Sequence, residues 1–327
     1  MALTNTECGK AYEYACLLSL KRDLVGKGVE AVTIVESDAL NTARSAFEKA
    51  TSEGVSAKLI AAANAASRVI RKLEPQLEHG NGTLSLVIQT DAQGIAGDVR
   101  DVVCVRSTKG WEIGLSCKHN HQAVKHSRLS ATIDFGKEWF GVPCSDTYFN
   151  TVVPLFNELR DKRAAAVANG EPLPLWNDIP DKAERYYIPV LKAFLTEMKD
   201  LSARDPSIPK KLIEYMLGRY DFYKVITDDA HKTTRVEAIN IAGTLNKPAN
   251  GYRSIVDVSR LKLPTCFYHM DMVPGSDNKV TIVCDEGWTL TMRIHNASSK
   301  IEPSLKFDVQ LISVPNSIHI QVEPWEC

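Results

Sequence analysis

The sequence contains no long apolar run, no paired-cysteine motif and no excess of one charge. No stretch approaches the ~20 apolar residues that a membrane-spanning helix needs, and the opening MALTNTECGK lacks the basic and apolar segments of a secretory signal. The 39 basic residues almost balance the 40 acidic ones, so the net charge of −1 gives no overall attraction for nucleic acid. With 44% hydrophobic and 24% charged residues, we expect a globular protein of the cytoplasm.

The cysteines do not form a recognisable site. None of the eight is arranged as CxxC, and no Cys/His run has the spacing of a zinc site. Several lie within apolar runs, where a free thiol behaves as a small hydrophobic side chain. We therefore expect the cysteines to be reduced and structural.

The pattern of elements changes along the chain. Apolar residues at helical spacing predict helices in GKAYEYACLLSLKRDL and AKLIAAANAASRVIRKLEPQL, followed by strands in TLSLVIQTD, DVVCVR and WEIGLSCK. HNHQAVKHSRLS returns to helical spacing, the middle is mostly helical, and short β-type runs follow from about residue 231. This pattern predicts an α/β (α+β) protein with a mixed sheet flanked by helices, divided into residues 1–145, 146–230 and 231–327.

The stretch DVVCVRSTKGWEIGLSCK, residues 101–118, predicts a hairpin that begins with a carboxylate and ends with an ammonium group. With the turn near its centre, Asp101 lies opposite Ser116, and Lys118 lies two residues further on the same face. A carboxylate suits a hard divalent cation such as Mg²⁺, which prefers oxygen ligands. A lysine beside it can orient water and offset the charge of a phosphodiester transition state. An ordinary surface pair is the alternative.

Two further features favour a nuclease site. Glu13 lies in the otherwise apolar run GKAYEYACLLSL, where an inward-facing acid needs a partner such as a cation. From Ile113 to Ile133 there is no acidic residue, and a local basic face can bind phosphate even on a neutral protein. The residues of this segment that we predict to contact DNA are His119, His121, Lys125, His126 and Arg128. An ordinary solvated face is the alternative.

The arrangement of Asp101, Ser116 and Lys118 resembles the core of the PD-(D/E)xK nucleases, whose usual form has an acid two residues before the lysine. Glu13 in GKAYE resembles the first-helix acid of that superfamily. The block GDVRDVVCVR…WEIGLSCKHNHQAVKHSRLS…DFGKEWFG is similar to the HaeIII-type restriction endonucleases, and the similarity extends through PKKLIEYMLGRYDFYKVI and EPSLKFDVQLI. The resemblance implies a restriction-endonuclease-like core and a type II enzyme that cuts double-stranded DNA at GGCC with Mg²⁺, leaving blunt ends.

This sequence departs from the superfamily pattern at Ser116, because serine is a poor ligand for a cation. The carboxylates that would compensate beside Asp101 are Glu13, Asp98 and Glu112, in that order of preference. Glu112 is four residues from Ser116, which is ~13 Å along a regular strand and too far to share a cation with Asp101. Asp98 precedes Asp101 by one loop turn, whereas the place of Glu13 depends on how its helix packs.

Reading a DNA sequence requires side chains that reach base edges, and Arg or Lys to guanine is the usual contact in a G/C-rich site. A palindromic site cut on both strands favours a homodimer, with monomers acting in sequence as the alternative. A DNA methyltransferase is the expected functional companion. The candidate base readers lie in GTLNKPANGYRS and MRIHNASSK, which are otherwise plain surface loops: Asn246, Lys247, Asn250, Arg253, Arg293, Asn296 and Lys300.

Two other functions are consistent with the same core. A structure-directed or repair nuclease needs little beyond the core, whereas nearly two hundred further residues here favour a sequence-reading enzyme. A DNA-binding module with an inactive core would follow from the serine at position 116. A plasmid digest with a divalent metal distinguishes the three, because they give discrete bands, structure-dependent nicks or no product.

Overall fold

The computed structural model describes residues 3–90, 98–120, 125–218 and 220–326. The described helices are α1 (Asn5–Gly26), α2 (Asp38–Ser52), α3 (Ser56–Leu73), α4 (Pro75–His79), α5 (Phe135–Phe140), α6 (Asp146–Ala168), α7 (Ile188–Arg204) and α8 (Ile208–Leu217). The described strands are β1 (Val32–Ile34), β2 (Leu84–Ile88), β3 (Val102–Arg106), β4 (Trp111–His119), β5 (Lys125–Ser130), β6 (Phe222–Asp228), β7 (Thr233–Ile239), β8 (Phe267–Met272), β9 (Lys279–Cys284), β10 (Thr289–His295), β11 (Ser304–Ser313) and β12 (Ile320–Pro324).

The chain forms two compact units that interleave along the sequence. Unit 1 comprises Met1–Gln122, Gly218–Lys262 and Asn316–Cys327, and unit 2 comprises Ala123–Leu217 and Leu263–Pro315. The boundaries predicted at residues 145 and 230 differ from this division. The reason is that β6, β7 and β12 join the sheet of β1 to β4, although unit 2 residues separate them in the chain.

Unit 1 is built on a seven-stranded sheet with the order β1-β2-β3-β4-β6-β7-β12. The pairs β1/β2 and β4/β6 are parallel, and the other four pairs are antiparallel. Helices α1, α2 and α3 pack on one another, and all three also contact strands of the sheet. The mixed sheet flanked by helices is therefore confirmed, and β2, β3 and β4 are neighbours in it.

Helix α1 lies in the core of unit 1. It begins with a capping box, in which the Glu7 amide donates to Thr4 Oγ1 at 3.2 Å and the Thr4 amide donates to Glu7 Oε2 at 2.8 Å. The helix packs against α2, α3 and β4, and its residues Tyr12 and Leu17 are fully buried. Glu13 belongs to the same buried stretch, with 6% of its surface exposed, so this acid is covered by the protein rather than exposed to solvent.

Strand β4 has two different faces. Ile113, Leu115 and Cys117 are part of the apolar core of unit 1. Because side chains alternate along a strand, Ser116 and Lys118 point to the opposite face. This alternation is what separates the polar residues of the predicted site from the apolar packing beneath them.

Unit 2 contains a five-stranded antiparallel sheet of order β5-β11-β10-β9-β8, together with α5 to α8. Its core is rich in aromatic rings, and the Phe194 ring centroid lies 5.0 Å from that of Phe135 and 5.1 Å from that of Phe307. The helix predicted in HNHQAVKHSRLS is wrong for Lys125–Ser130, which form β5 and pair with β11. The pairing with a strand far along the chain overrides the local helical spacing.

None of the described helices is long and apolar enough to cross a membrane. Among the residues that the structure describes, seven cysteines are free thiols, of which Cys16, Cys104, Cys117 and Cys284 are buried. These four thiols pack as small hydrophobic side chains.

Candidate active site

Asp101 and Lys118 lie side by side at the open end of the β3–β4 hairpin. Lys118 Nζ is 3.4 Å from Asp101 Oδ2, and the Cys117 amide donates to the same oxygen at 2.6 Å. The register explains the contact, because Val102 pairs with Leu115 and thus places Asp101 opposite Ser116. Both contacts are to Oδ2, so Oδ1 is the oxygen that can face a cation.

The hairpin turn that sets this register is local. Ser107–Lys109 form a 3₁₀ turn, and Gly110 follows with φ 60°, a left-handed conformation that favours glycine. The buried Arg106 guanidinium anchors the turn, since it donates to the carbonyl oxygens of Gln76 and Leu77 at 2.7 and 2.8 Å. The turn therefore cannot slip without breaking buried hydrogen bonds.

Glu13 brings a second carboxylate to the site. Burial raises its pKa to about 8, and the negative charge of Asp101 adds to that effect, which shows that the two carboxylates are electrostatic neighbours. The positive charges of Lys10 and Lys118 oppose the increase, and Lys10 Nζ lies 3.2 Å from Glu13 Oε2. A buried carboxylate with a second, half-buried carboxylate beside it is a suitable pair of ligands for a cation.

Asp98 has other partners. Its Oδ1 accepts hydrogen bonds from the Arg100 amide and Nε, and its Oδ2 accepts from Arg100 Nη2 and Gln89 Nε2, at 2.7 to 3.1 Å. Arg100 Nη1 also lies 2.8 Å from Glu112 Oε1. Both alternative carboxylates are thus tied to one guanidinium, and these contacts favour Glu13 over Asp98 and Glu112 as the second acid.

Two buried charged residues on the site's face of the sheet are not among the predicted site residues. Lys224 on β6 pairs in register with Ser116, and Glu237 on β7 pairs with Lys224. Only 4% of Lys224 and 7% of Glu237 is exposed. The signal was a lysine inside the apolar strand run FYKVI, but its position beside Ser116 depends on the pairing of two strands that are far apart in sequence.

Two comparisons with known proteins agree on the family. The family model for the HaeIII restriction endonuclease matches residues 9–315. The chain is 38% identical over 327 residues to the type II restriction enzyme HaeIII of Haemophilus aegyptius, with both chains covered completely. The chain belongs to the HaeIII restriction endonuclease family. The predicted type II restriction endonuclease, a site-specific deoxyribonuclease, is thereby confirmed. No solved structure matches the chain.

The DNA-contact residues predicted for this HaeIII family member in unit 1 divide into two groups. His119 ends β4, with its Nε2 at 3.6 Å from Asp229 Oδ2. Lys247 and Arg253 are exposed. By contrast, the Asn246 amide donates to the carbonyl oxygens of Leu73 and Val256, and that of Asn250 donates to His79 O. These two asparagines hold loops through their side-chain amides.

The candidates in unit 2 also differ in their surroundings. Arg128 Nη1 lies 2.8 Å from Glu302 Oε2, and Arg293 Nη2 lies 2.6 Å from Asp308 Oδ2. The Asn296 amide donates to the carbonyl oxygens of Ser298 and Lys300, so it holds a loop. Lys300 itself is exposed. Lys125 and His126 pair through their backbones with Val309 and Asp308, and His121 lies outside the described residues.

The basic segment predicted as one face is therefore divided between the two units, since His119 lies in unit 1 and Lys125 to Arg128 lie in unit 2. The candidate base readers that the structure shows as exposed are Lys247, Asn250, Arg253, Arg293 and Lys300, of which Asn250 and Arg293 also make the contacts given above. The asparagine amides at 246, 250 and 296 form hydrogen bonds within loops, and their role as base readers stays a prediction.

Proposed function

We propose that this restriction endonuclease hydrolyses both strands of double-stranded DNA at GGCC and leaves blunt ends, with Mg²⁺ as its cofactor. The observation that carries the chemistry is the Asp101–Lys118 contact of 3.4 Å beside the buried carboxylate of Glu13. The proposed recognition sequence rests on the resemblance to the HaeIII-type enzymes and on 38% identity along the full chain.

The donor set suits a single hard cation. Among the described residues there is no group of three or more His, Cys, Asp or Glu side chains that would hold a metal ion. Mg²⁺, however, commonly binds through one or two carboxylates and keeps several waters. Asp101 and Glu13 would be those carboxylates, because burial and the neighbouring charge of Asp101 raise the pKa of Glu13, and a cation would relieve that strain on the pair. When bound, the cation would offset phosphate charge and lower the pKa of a water molecule.

Residues of the chain would then position the cation, orient the attacking water and stabilise the transition state. Asp101 is held rigidly by the Cys117 amide and by the ladder bond from its own amide to Leu115 O, 2.7 Å long. The Lys118 side chain is 19% exposed, and its ammonium can orient the attacking water and stabilise the anionic transition state. Glu13 is contributed by helix α1, and the charges of Asp101 and Lys118 both act on its carboxyl group.

We assign DNA recognition to two sets of residues. Lys247, Arg253 and Lys300 are exposed candidates for base reading, and His119, Lys125, His126 and Arg128 are the candidates for phosphate contacts. A second copy of the chain would match the two-fold symmetry of a palindromic site. A DNA methyltransferase of the same specificity would be the functional companion, and both would act on the DNA of the cytoplasm.

The test is a digest of a plasmid of known sequence with the purified enzyme in Mg²⁺, followed by mapping of the fragment ends. We expect cuts only at GGCC, with ends that ligate without filling. A matched plasmid whose GGCC sites have each been changed by one base is the control. Discrete cuts at another sequence would reject the specificity, and an absence of cleavage by folded protein would reject the reaction.

A further inference from the structure

A long loop follows β7 in unit 1. Residues 240–262 are all described, and the structure assigns neither helix nor strand to them. Loops longer than about 12–15 residues without secondary structure of their own are uncommon in compact domains and usually have a function. This loop contains Lys247 and Arg253, two of the exposed candidates for base reading. We therefore expect other residues of the same loop to meet DNA.

Hydrogen bonds and ring stacking hold this loop against helix α4. Gln76 Nε2 donates to Pro248 O at 2.7 Å, and the Tyr252 ring stacks on that of His79, with 3.6 Å between centroids and 8° between planes. Ala249 and Tyr252 also exchange two backbone hydrogen bonds, of 3.0 and 2.8 Å. Although it has no regular secondary structure, the loop is thus anchored in a defined position on unit 1.

Ile255 extends from this anchored loop into solvent. Its relative exposure is 100%, and no other large apolar residue that the structure describes is as exposed. The residues around it are held in place, since Ser254 Oγ accepts a hydrogen bond from the Val256 amide at 3.1 Å and Val256 packs against the core of unit 1. Val258, three residues further on, is also buried. The loop therefore displays Ile255 and buries its apolar neighbours, although burial of the isoleucine would stabilise the fold.

The surroundings of Ile255 suit DNA better than another protein. Residues 240–262 contain four basic residues and one acidic residue, Asp257. A protein interface requires a contiguous apolar patch, whereas the exposed loop residues nearest to Ile255 in the sequence are Arg253 and Asp257, which are both charged. A single apolar side chain among basic residues is instead typical of proteins that insert a wedge between base pairs and bend the duplex.

We propose that Ile255 is a wedge residue, which inserts between two stacked base pairs when the enzyme binds double-stranded DNA. This inference rests on the proposed DNA contacts of Lys247 and Arg253. The two basic side chains hold the duplex against the loop, and the isoleucine leaves water as it enters the base stack. The removal of apolar surface from water offsets part of the cost of unstacking. Because that cost depends on the base step, the wedge adds to sequence specificity without a hydrogen bond to a base.

The test measures base unstacking in a set of short GGCC duplexes. Each duplex carries one fluorescent base, pyrrolocytosine within the site or 2-aminopurine at one flanking position, and such a base brightens when it loses a stacking neighbour. With saturating wild-type enzyme in Ca²⁺, we expect one position, or two adjacent positions, to brighten severalfold. Ile255→Ala should leave every position as in free DNA, whereas Ile255→Leu should retain the signal because leucine keeps the apolar volume.

Binding to the unlabelled duplex gives a second measurement. Ile255→Ala should bind about 10-fold more weakly than the wild type, because alanine removes less apolar surface from water. The matched control is Ile312→Ala, which truncates an isoleucine of β11 in unit 2 that is 58% exposed. This control should bind and unstack DNA like the wild type.

The outcomes separate this inference from the proposed function. Wild-type enzyme that leaves every base stacked, or Ile255→Ala that unstacks the same position as the wild type, rejects the wedge. If Arg253→Ala and Lys247→Ala still weaken cognate binding in that case, only this inference is rejected. If neither of them affects binding, the proposed DNA contacts of the loop are rejected as well. A lower denaturant midpoint for Ile255→Ala than for Ile312→Ala would assign Ile255 a structural role and also reject the wedge.

Discussion

Asp101 is fixed by the backbone, whereas Lys118 is fixed only by charge. The carboxylate accepts a 2.6 Å hydrogen bond from the Cys117 amide, and the lysine lies 3.4 Å away on a flexible stem. Asp101 therefore supports the hairpin as well as the chemistry, whereas Lys118 supports the chemistry. Both nevertheless act on the reaction more than on DNA binding.

We expect Lys118→Ala and Asp101→Ala each to abolish cleavage while cognate binding stays nearly intact. Lys118 contributes mainly in the transition state, and Asp101 would hold the cation. Asp101→Ala should also bind DNA slightly more tightly in metal-free buffer, since a negative charge near the phosphate is lost. Single-turnover cleavage of a short GGCC duplex in Mg²⁺, beside filter binding in Ca²⁺, provides the measurement. Equal losses of DNA binding and of cleavage in either variant would contradict this prediction.

Base readers and phosphate contacts should respond differently. Arg253→Ala or Lys247→Ala should cost ~1–3 kcal/mol of binding on the cognate site and little on other sequences. Lys125→Ala should weaken both classes of site alike, because phosphate contacts carry no sequence information. Competition binding with cognate and one-base-changed duplexes checks this, with Lys72→Ala as the control. If none of the three substitutions affects either duplex, DNA lies on another face.

Glu74 predicts a pH dependence of folding that is separate from the site. Burial raises the pKa of Glu74 to about 7, although the Asn246 backbone amide and the Tyr223 hydroxyl both donate to Glu74 Oε1 at 2.7 Å. The folded chain therefore holds this proton more tightly than the unfolded chain. The stability that this provides is present below about pH 4.5 and is lost as the pH rises toward 7.

Glu74→Gln should remove this part of the pH dependence, because the amide remains neutral. Urea unfolding in EDTA at several values between pH 4.5 and 8 gives the measurement. Glu13 contributes in the same direction in both proteins, so the difference between them isolates Glu74. Parallel curves for the two proteins would show that Glu74 ionises normally in the fold.

At the scale of elements, the hairpin was predictable and its neighbour β5 was not. The alternation of WEIGLSCK and the turn before it are local, so the register that places Asp101 beside Lys118 follows from adjacent residues. Strand β5 depends instead on Ser304–Val309 of β11. Lys224 was also not predicted, because its place beside Ser116 depends on the pairing of β4 with β6. The position of Lys224 beside the site depends on pairing between distant strands, and the periodicity of the sequence does not reveal that pairing.

The hairpin also depends on Gly114 of β4. A Cβ built on Gly114 would lie 2.1 Å from Arg100 Cδ and 2.7 Å from its Cβ, and the Arg100 side chain is held by Asp98 and Glu112. Gly114→Ala should therefore destabilise the fold by about 1–3 kcal/mol through overpacking. Gly26→Ala is the control, since nothing lies within 4 Å of its added Cβ. Denaturant midpoints measure both, and a neutral Gly114→Ala would show that the ion-paired guanidinium moves freely.

For the whole molecule, the interleaved units predict that the first 145 residues are not an independent nuclease. That fragment lacks β6, β7 and β12, and it leaves β4 without its parallel partner. It also lacks Lys224 and Glu237. We expect the fragment to show little protection from amide exchange and no cleavage, whereas the full chain shows both. A stable, active fragment would show that the three downstream strands are dispensable.

The separation of β4 and β6 along the sequence also determines when, during translation, the sheet of unit 1 can be completed. About 100 residues lie between the end of β4 at His119 and the start of β6 at Phe222. At a synthesis rate of ~5–20 residues per second, roughly 5–20 s pass between the emergence of the two strands. During that interval Asp101 and Lys118 are present on the nascent chain without the strand that braces them. We therefore expect the nascent chain to be inactive on the DNA of its own cell until the downstream segment has been translated.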